Sequence, residues 1–223
     1  MSAAGLTFLQ IVNRVLSRLR EATVAANGET TYSTFVGTIV NQVKAEIEAA
    51  YHWQSLREII TVTTSAADTQ YTLTGSSSDA VIIDAWNTTT NQRLKRGTNG
   101  QFNEFFYGAS SVQTGSATHF MAAGLDSSTY DLQIDIWPSP ASAETLKFEV
   151  YSPQADLSAD ATVALVPQSV LIEEVVARCL NERGDDTAPK PAPGETFIMK
   201  DLLASAVSRE SAQDDFEMDW EAE

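Results

Sequence analysis

The sequence predicts an α+β protein in which N- and C-terminal helices pack as an α-helical bundle, with an antiparallel β-sandwich or barrel-like region inserted between them. Three observations predict this. Apolar residues recur at helical spacing near both ends of the chain. In the middle they alternate with polar residues at a period of two. Charge is partitioned along the same lines: residues 1–58 hold five acids and five bases, residues 59–153 nine and four, and residues 154–223 sixteen and five.

The first helix opens at Thr7, with Gln10 three residues on in the pattern of a capping box. Leu9, Val12, Leu16 and Leu19 then share one stripe, while Arg14, Arg18 and Arg20 fall off it. Asn27-Gly28 marks a turn. A second helix starts near Ser33, and Val36, Val40, Val43, Ile47 and Ala50 form a seam for a partner helix.

From Ile59 the period changes. Tyr130, Leu132, Ile134 and Ile136 alternate with polar residues, as do Leu146, Phe148 and Val150. Shorter strands are expected at 59–63, 70–73, 81–86, 93–96 and 118–122, separated by Gly, Ser, Thr and Asn clusters. One helical turn is expected at 103–107, with Phe102, Phe105 and Phe106 under the sheet. This spacing of short strands suggests a sandwich or small barrel.

The third part returns to helix. Pro167 suits a first helical position. Leu171, Val175 and Cys179 make one stripe, Ile172, Val176 and Leu180 the next, and Gly184 is a natural stop. A Pro-rich loop follows, then a last helix over 195–209. The division is therefore 1–58 and 154–210 for the two halves of the bundle, 59–153 for the β-rich insertion and 211–223 for an acidic tail.

Composition excludes several function classes. The 223 residues carry 14 Lys+Arg against 30 Asp+Glu, a formal charge of -16. A broad basic face for gripping nucleic acid is excluded, because such binding runs on phosphate neutralisation. One cysteine and two histidines argue against a disulfide framework or a zinc centre, and no cofactor is expected. Apolar runs are too short for a signal peptide or a membrane span.

Phosphate-binding, dinucleotide, zincin and nucleophile-elbow motifs are all missing, so no catalytic residue is expected. His52 and His119 have no readable Ser or Cys partner. Glu173 and Glu174 are adjacent on a helix and diverge by about 100°, so they suit the helix dipole better than acid–base work. Cys179 reads as a small core residue. Asp131 and Asp135 read as a solvated strand face, and the Asp126 turn is the one place where a calcium ion is weighed.

Two segments stand out as contact sites. Arg93, Lys95 and Arg96 are the only dense basic cluster, read either as a charged edge strand or as a docking patch for an acidic surface or for phosphates. In the tail, Phe216, Met218 and Trp220 alternate with acids in the run Asp214, Asp215, Glu217 and Asp219. In an extended segment the three apolar groups point one way, which suits docking on a partner.

The layout as a whole resembles the head-to-tail adaptor (connector) proteins of tailed phages, in particular the tail tubular protein A type of short-tailed phages. The resemblance rests on the paired N-terminal helices closed by Tyr51-His52-Trp53-Gln54. It rests also on the strand Ile134–Trp137 running into Pro138-Ser139-Pro140, and on the stretch from Phe148–Tyr151 through Leu157–Asp160 to Val166-Pro167 and a helix with Ala177-Arg178. It implies a structural virion protein at the head–tail interface, assembled in the host cytoplasm. It implies a homo-oligomeric ring of about twelve copies, with the portal protein and a tail or nozzle protein as partners, phage DNA passing through without sequence-specific binding, and no membrane. The acidic tail, Phe216, Met218 and Trp220 included, would dock on the portal. The competing reading is a carbohydrate- or receptor-binding β-sandwich module of a tail or cell-surface protein, with Trp86, Trp137 and Tyr151 stacking on sugars. A hydrolase using Asp/Glu pairs is supported by neither spacing nor motif.

Overall fold

A computed structural model describes residues 5–108, 113–184 and 200–218. It is mixed α+β, and the chain divides into two compact units: Met1–Ser55 with Ala155–Glu223, and Leu56–Gln154.

The first unit is helical. Helix α1 (Phe8–Arg18) is capped by Thr7 in a full capping box with Gln10. Helix α2 (Thr31–Ala50) is capped in the same manner by Thr30 with Ser33, so it starts slightly before the expected position. Phe8, Ile11, Val12, Val15 and Leu16 of α1 are buried, as are Val36, Val40, Val43 and Ile47 of α2. Ala50, expected on that seam, is exposed. Two asparagines fasten the connections: Asn13 exchanges two hydrogen bonds with the Val24 backbone, at 2.8 and 2.9 Å, and Asn41 does the same with Leu157, at 2.9 and 3.2 Å.

The second unit holds most of the strands. Strands β1 (Arg57–Thr63), β2 (Gln70–Thr72), β3 (Val81–Asn87), β4 (Gln92–Arg93) and β5 (Lys95–Arg96) precede a short helix, α3 (Asn99–Asn103), and a π-helical turn, Glu104–Gly108. Strands β6 (Thr114–Gly115), β7 (His119–Leu125), β8 (Leu132–Trp137), β9 (Ser139–Pro140) and β10 (Thr145–Tyr151) follow. They form two four-stranded sheets, β1-β10-β3-β4 and β2-β8-β7-β5, and a two-stranded β6-β9 pair. Ile60, Val62, Ile82, Leu146, Phe148 and Val150 of the first sheet share one core with Phe120, Ile134 and Ile136 of the second. The Phe120 and Phe148 rings meet edge-to-face at 5.6 Å.

Several sequence expectations need correction here. Among the described residues there is no closed barrel, and the sheets are not purely antiparallel, since β5–β7 and β6–β9 run parallel. The expected single strand 93–96 is two strands in two different sheets, because the chain crosses from one to the other at Leu94. Tyr130 does not belong to the β8 stripe: it has φ 61° in the turn before the strand and is exposed. The expected turn at 103–107 begins earlier, as α3, and Phe102 is its buried residue.

Helix α4 (Gln168–Glu182) and helix α5 (Lys200–Met218) complete the first unit. Pro167 sits at the N-cap of α4, one position before the expected one. Leu171, Val175 and Cys179 are buried, and Gly184 ends the helix at φ 71°. Helices α1, α2 and α4 pack pairwise, and α5 touches α4. The backbone of α5 stays helical through Met218, so the last helix runs beyond its expected end at 209 into the acidic tail.

Candidate functional site

The Arg93–Arg96 segment is where the β-rich unit builds a recess. Strand β4 closes the edge of the first sheet and β5 the edge of the second. Leu94, 3% exposed, anchors the crossing, with its N–H donating to Ala85 O at 2.8 Å. A depression of about 430 Å3 opens beside the crossing, lined by Ile83, Leu94 and Phe120 and by the charged residues Asp84, Arg93, Lys95 and Arg96.

The three cations are not equivalent. Arg93 Nε donates to Asp84 Oδ1 at 2.8 Å. That carboxylate also accepts from the Ala85 N–H at 2.8 Å and from Trp86 Nε1 at 3.0 Å. Burial would raise the Asp84 pKa, but the Arg93, Ala85 and Trp86 donors outweigh it and hold the group below its ordinary value. Arg93 is thus paired with Asp84, although its side chain stays largely exposed. Lys95 and Arg96 are exposed and form no ion pair among the described residues. Lys95 lies opposite His119 in the parallel β5–β7 register. Burial, and next the Lys95 charge, depress the His119 pKa.

An aromatic group lies on the second sheet. Phe105 stacks on Trp137 at 4.1 Å, and His119 meets both rings edge-on at 5.7 and 5.9 Å. Trp137 is therefore covered on one face by Phe105. Trp86, 43% exposed, belongs to the first sheet, and so does Tyr151, so the three aromatics proposed for sugar stacking do not form one platform.

The remaining candidates are structural in their surroundings. The Asp126 carboxylate accepts from the Ser128 hydroxyl and N–H and from the Thr129 N–H at 2.5, 2.8 and 3.0 Å, and these bonds lower its pKa to about 2. Among the described residues no group of three or more His, Cys, Asp or Glu is arranged to hold a metal ion. Asp131 is buried, contrary to the solvated-face reading. Asp135 is half-buried, and desolvation raises its pKa against a hydrogen bond from Gln70. Glu173 pairs with Arg18, while Glu174 is wholly buried and accepts from Arg178 Nε at 2.9 Å, so the two carboxylates part as expected but Glu174 belongs to the core. His52 is exposed just after α2. Burial pushes the Cys179 thiol up to about 11.

Of the tail residues, Asp214, Asp215, Phe216, Glu217 and Met218 belong to α5. Asp219 and Trp220 lie outside the described residues.

Sequence reasoning missed the buried charges. Lys44, 1% exposed, pairs with Glu48 at 3.0 Å on the packed face of α2. Arg178 joins Glu174 to Glu46 by two further bonds of 2.8 and 2.6 Å. The signal was present: Lys44 follows Val40 by four residues and precedes Glu48 by four, which places both on the apolar stripe. No protein-family model matches the chain, and no curated protein matches its sequence.

Proposed function

We propose that the chain is a structural virion protein that forms the adaptor ring between portal and tail in the neck of a tailed phage, giving DNA a passage and the tail an attachment site. In this reading α1, α2, α4 and α5 act as an α-helical bundle and the two four-stranded sheets as an inserted β-sandwich. The observation that carries it is the division of the chain. One helical unit is made from both ends of the sequence, and a single continuous stretch, Leu56–Gln154, makes the β-rich unit. That is the order the resembling connector family implies. The charge of -16 per copy fits a channel wall that lets phosphate slide past. The same charge would oppose spontaneous ring closure, so the free protein would be a monomer that assembles on the portal.

The C-terminal segment, with Asp214, Asp215, Phe216, Glu217, Met218, Asp219 and Trp220, is proposed as the portal anchor. Electron imaging of particles that carry this chain tests the reading: about twelve copies in a cyclic ring below the portal are expected. Density elsewhere in the particle, or a copy number unrelated to a ring, would sink it. Deleting residues 211–223 should leave a folded monomer that no longer joins portal-bearing heads. Unchanged binding to heads would remove the anchor proposal and leave the ring proposal standing.

A further inference from the structure

The geometry points to a docking edge on the β-rich unit that takes an extended, carboxylate-bearing segment of a partner polypeptide by strand addition. Strand β4 covers β3 only at Trp86 and Asn87. Beyond that, Val81–Asp84 of β3 is paired with β10 on one side and with no described strand on the other. The chain that would have continued along this edge turns away at Leu94 to join the second sheet as β5. An uncovered strand edge is a template for another strand, and folded proteins usually block it. Here the recess of about 430 Å3 occupies that place.

The chemistry of the recess selects the occupant. Its apolar lining is Ile83, which is exposed, with the buried Leu94 and Phe120. Its rim is cationic: after Asp84 is matched to Arg93, Lys95 and Arg96 remain without an ion pair among the described residues. A strand alternates its side chains between two faces, so one face can bear an apolar group for the apolar lining while the other bears carboxylates for the rim. In a chain of net charge -16 this rim is a local reversal of sign, which would steer an acidic partner to this edge. The inference does not rest on the connector reading and would hold on any protein with this edge.

The test uses the full chain and a fluorescein-labelled peptide of about ten residues that alternates glutamate with valine, a length that spans a typical strand. Fluorescence anisotropy should show saturable binding that weakens with salt. The double variant Lys95→Glu, Arg96→Glu should bind at least about tenfold more weakly, and Ile83→Ser should also lose affinity. All three positions are exposed, so the variants should keep the wild-type melting curve. Methylating alternate peptide nitrogens should abolish binding if backbone pairing is used, while leaving charge unchanged. Equal binding by the reversed-charge variant, no effect of methylation, or tighter binding of a single-stranded oligonucleotide of equal charge would each overturn the proposal.

Discussion

Glu144 is 6% exposed, and its Oε2 accepts from Asn87 Nδ2 at 2.6 Å and from the Ala117 N–H at 3.2 Å. Its own N–H donates to Thr64 Oγ1 at 2.9 Å. Glu144→Ala strands two buried donors, each costing about 1–3 kcal/mol, so urea unfolding should report a loss of about 2–6 kcal/mol. A loss under about 1 kcal/mol would show that water replaces the carboxylate. His119 offers a titration check. Its folded pKa lies below the ordinary 6.5, through burial first and Lys95 second. The unfolded chain therefore takes the proton first, so this contribution is complete above pH 6.5 and fades as pH falls toward the folded value. With only two histidines in the chain, NMR can follow each ring. His119 should titrate below 6.5, and Lys95→Gln should move it upward. No movement would remove the Lys95 contribution.

Helix α2 shows how an element can hide its own chemistry. Its capping box and its valine stripe are local and form as expected. Its buried lysine is tolerated because Glu48 lies one turn away and α4 packs over the same face. Lys44→Met keeps the volume and helix propensity but removes the charge that Glu48 meets at 3.0 Å. Breaking one side of a buried pair typically costs about 3–5 kcal/mol, and the thermal midpoint should fall accordingly. A stabilised Lys44→Met protein would mean that the surrounding groups already compensate Glu48. Just past the end of α4, Gly184 holds φ 71° with open space around its Cβ direction, so Gly184→Ala should cost the backbone strain of that conformation, about 1 kcal/mol.

For the whole molecule, continuity of the chain decides which part can fold alone. The apolar cluster of the β-rich unit is drawn entirely from Ile60 to Val150, inside one continuous stretch. Residues 56–154 expressed alone should unfold cooperatively in circular dichroism. Residues 1–55 or 155–223 alone should not, because α1 and α2 pack against α4, which lies on the other side of the insertion. A noncooperative melt of the 56–154 fragment would show that its core depends on the helical unit.

Periodicity carried the sequence a long way. Apolar spacing of 3.6 and of two is a property of neighbouring residues, so α1, α2, α4, β1, β3, β8 and β10 were legible, together with the Thr7 cap and the Gly184 stop. The basic cluster Arg93, Lys95 and Arg96 was legible too, as composition. What it does was not: the split of 93–96 between two sheets depends on Leu94 finding the shared core, a contact with residues far away in sequence. Lys44 and Glu174 have charge partners one turn away on their own helices, Glu48 and Arg178, but that these faces are buried, and that Glu144 meets Asn87 and Ala117, is decided only by tertiary packing. The helical course of α5 to Met218 runs against the local signal of an acid-rich, stripe-free segment, in which periodicity gives no reason for the helix to pass residue 209.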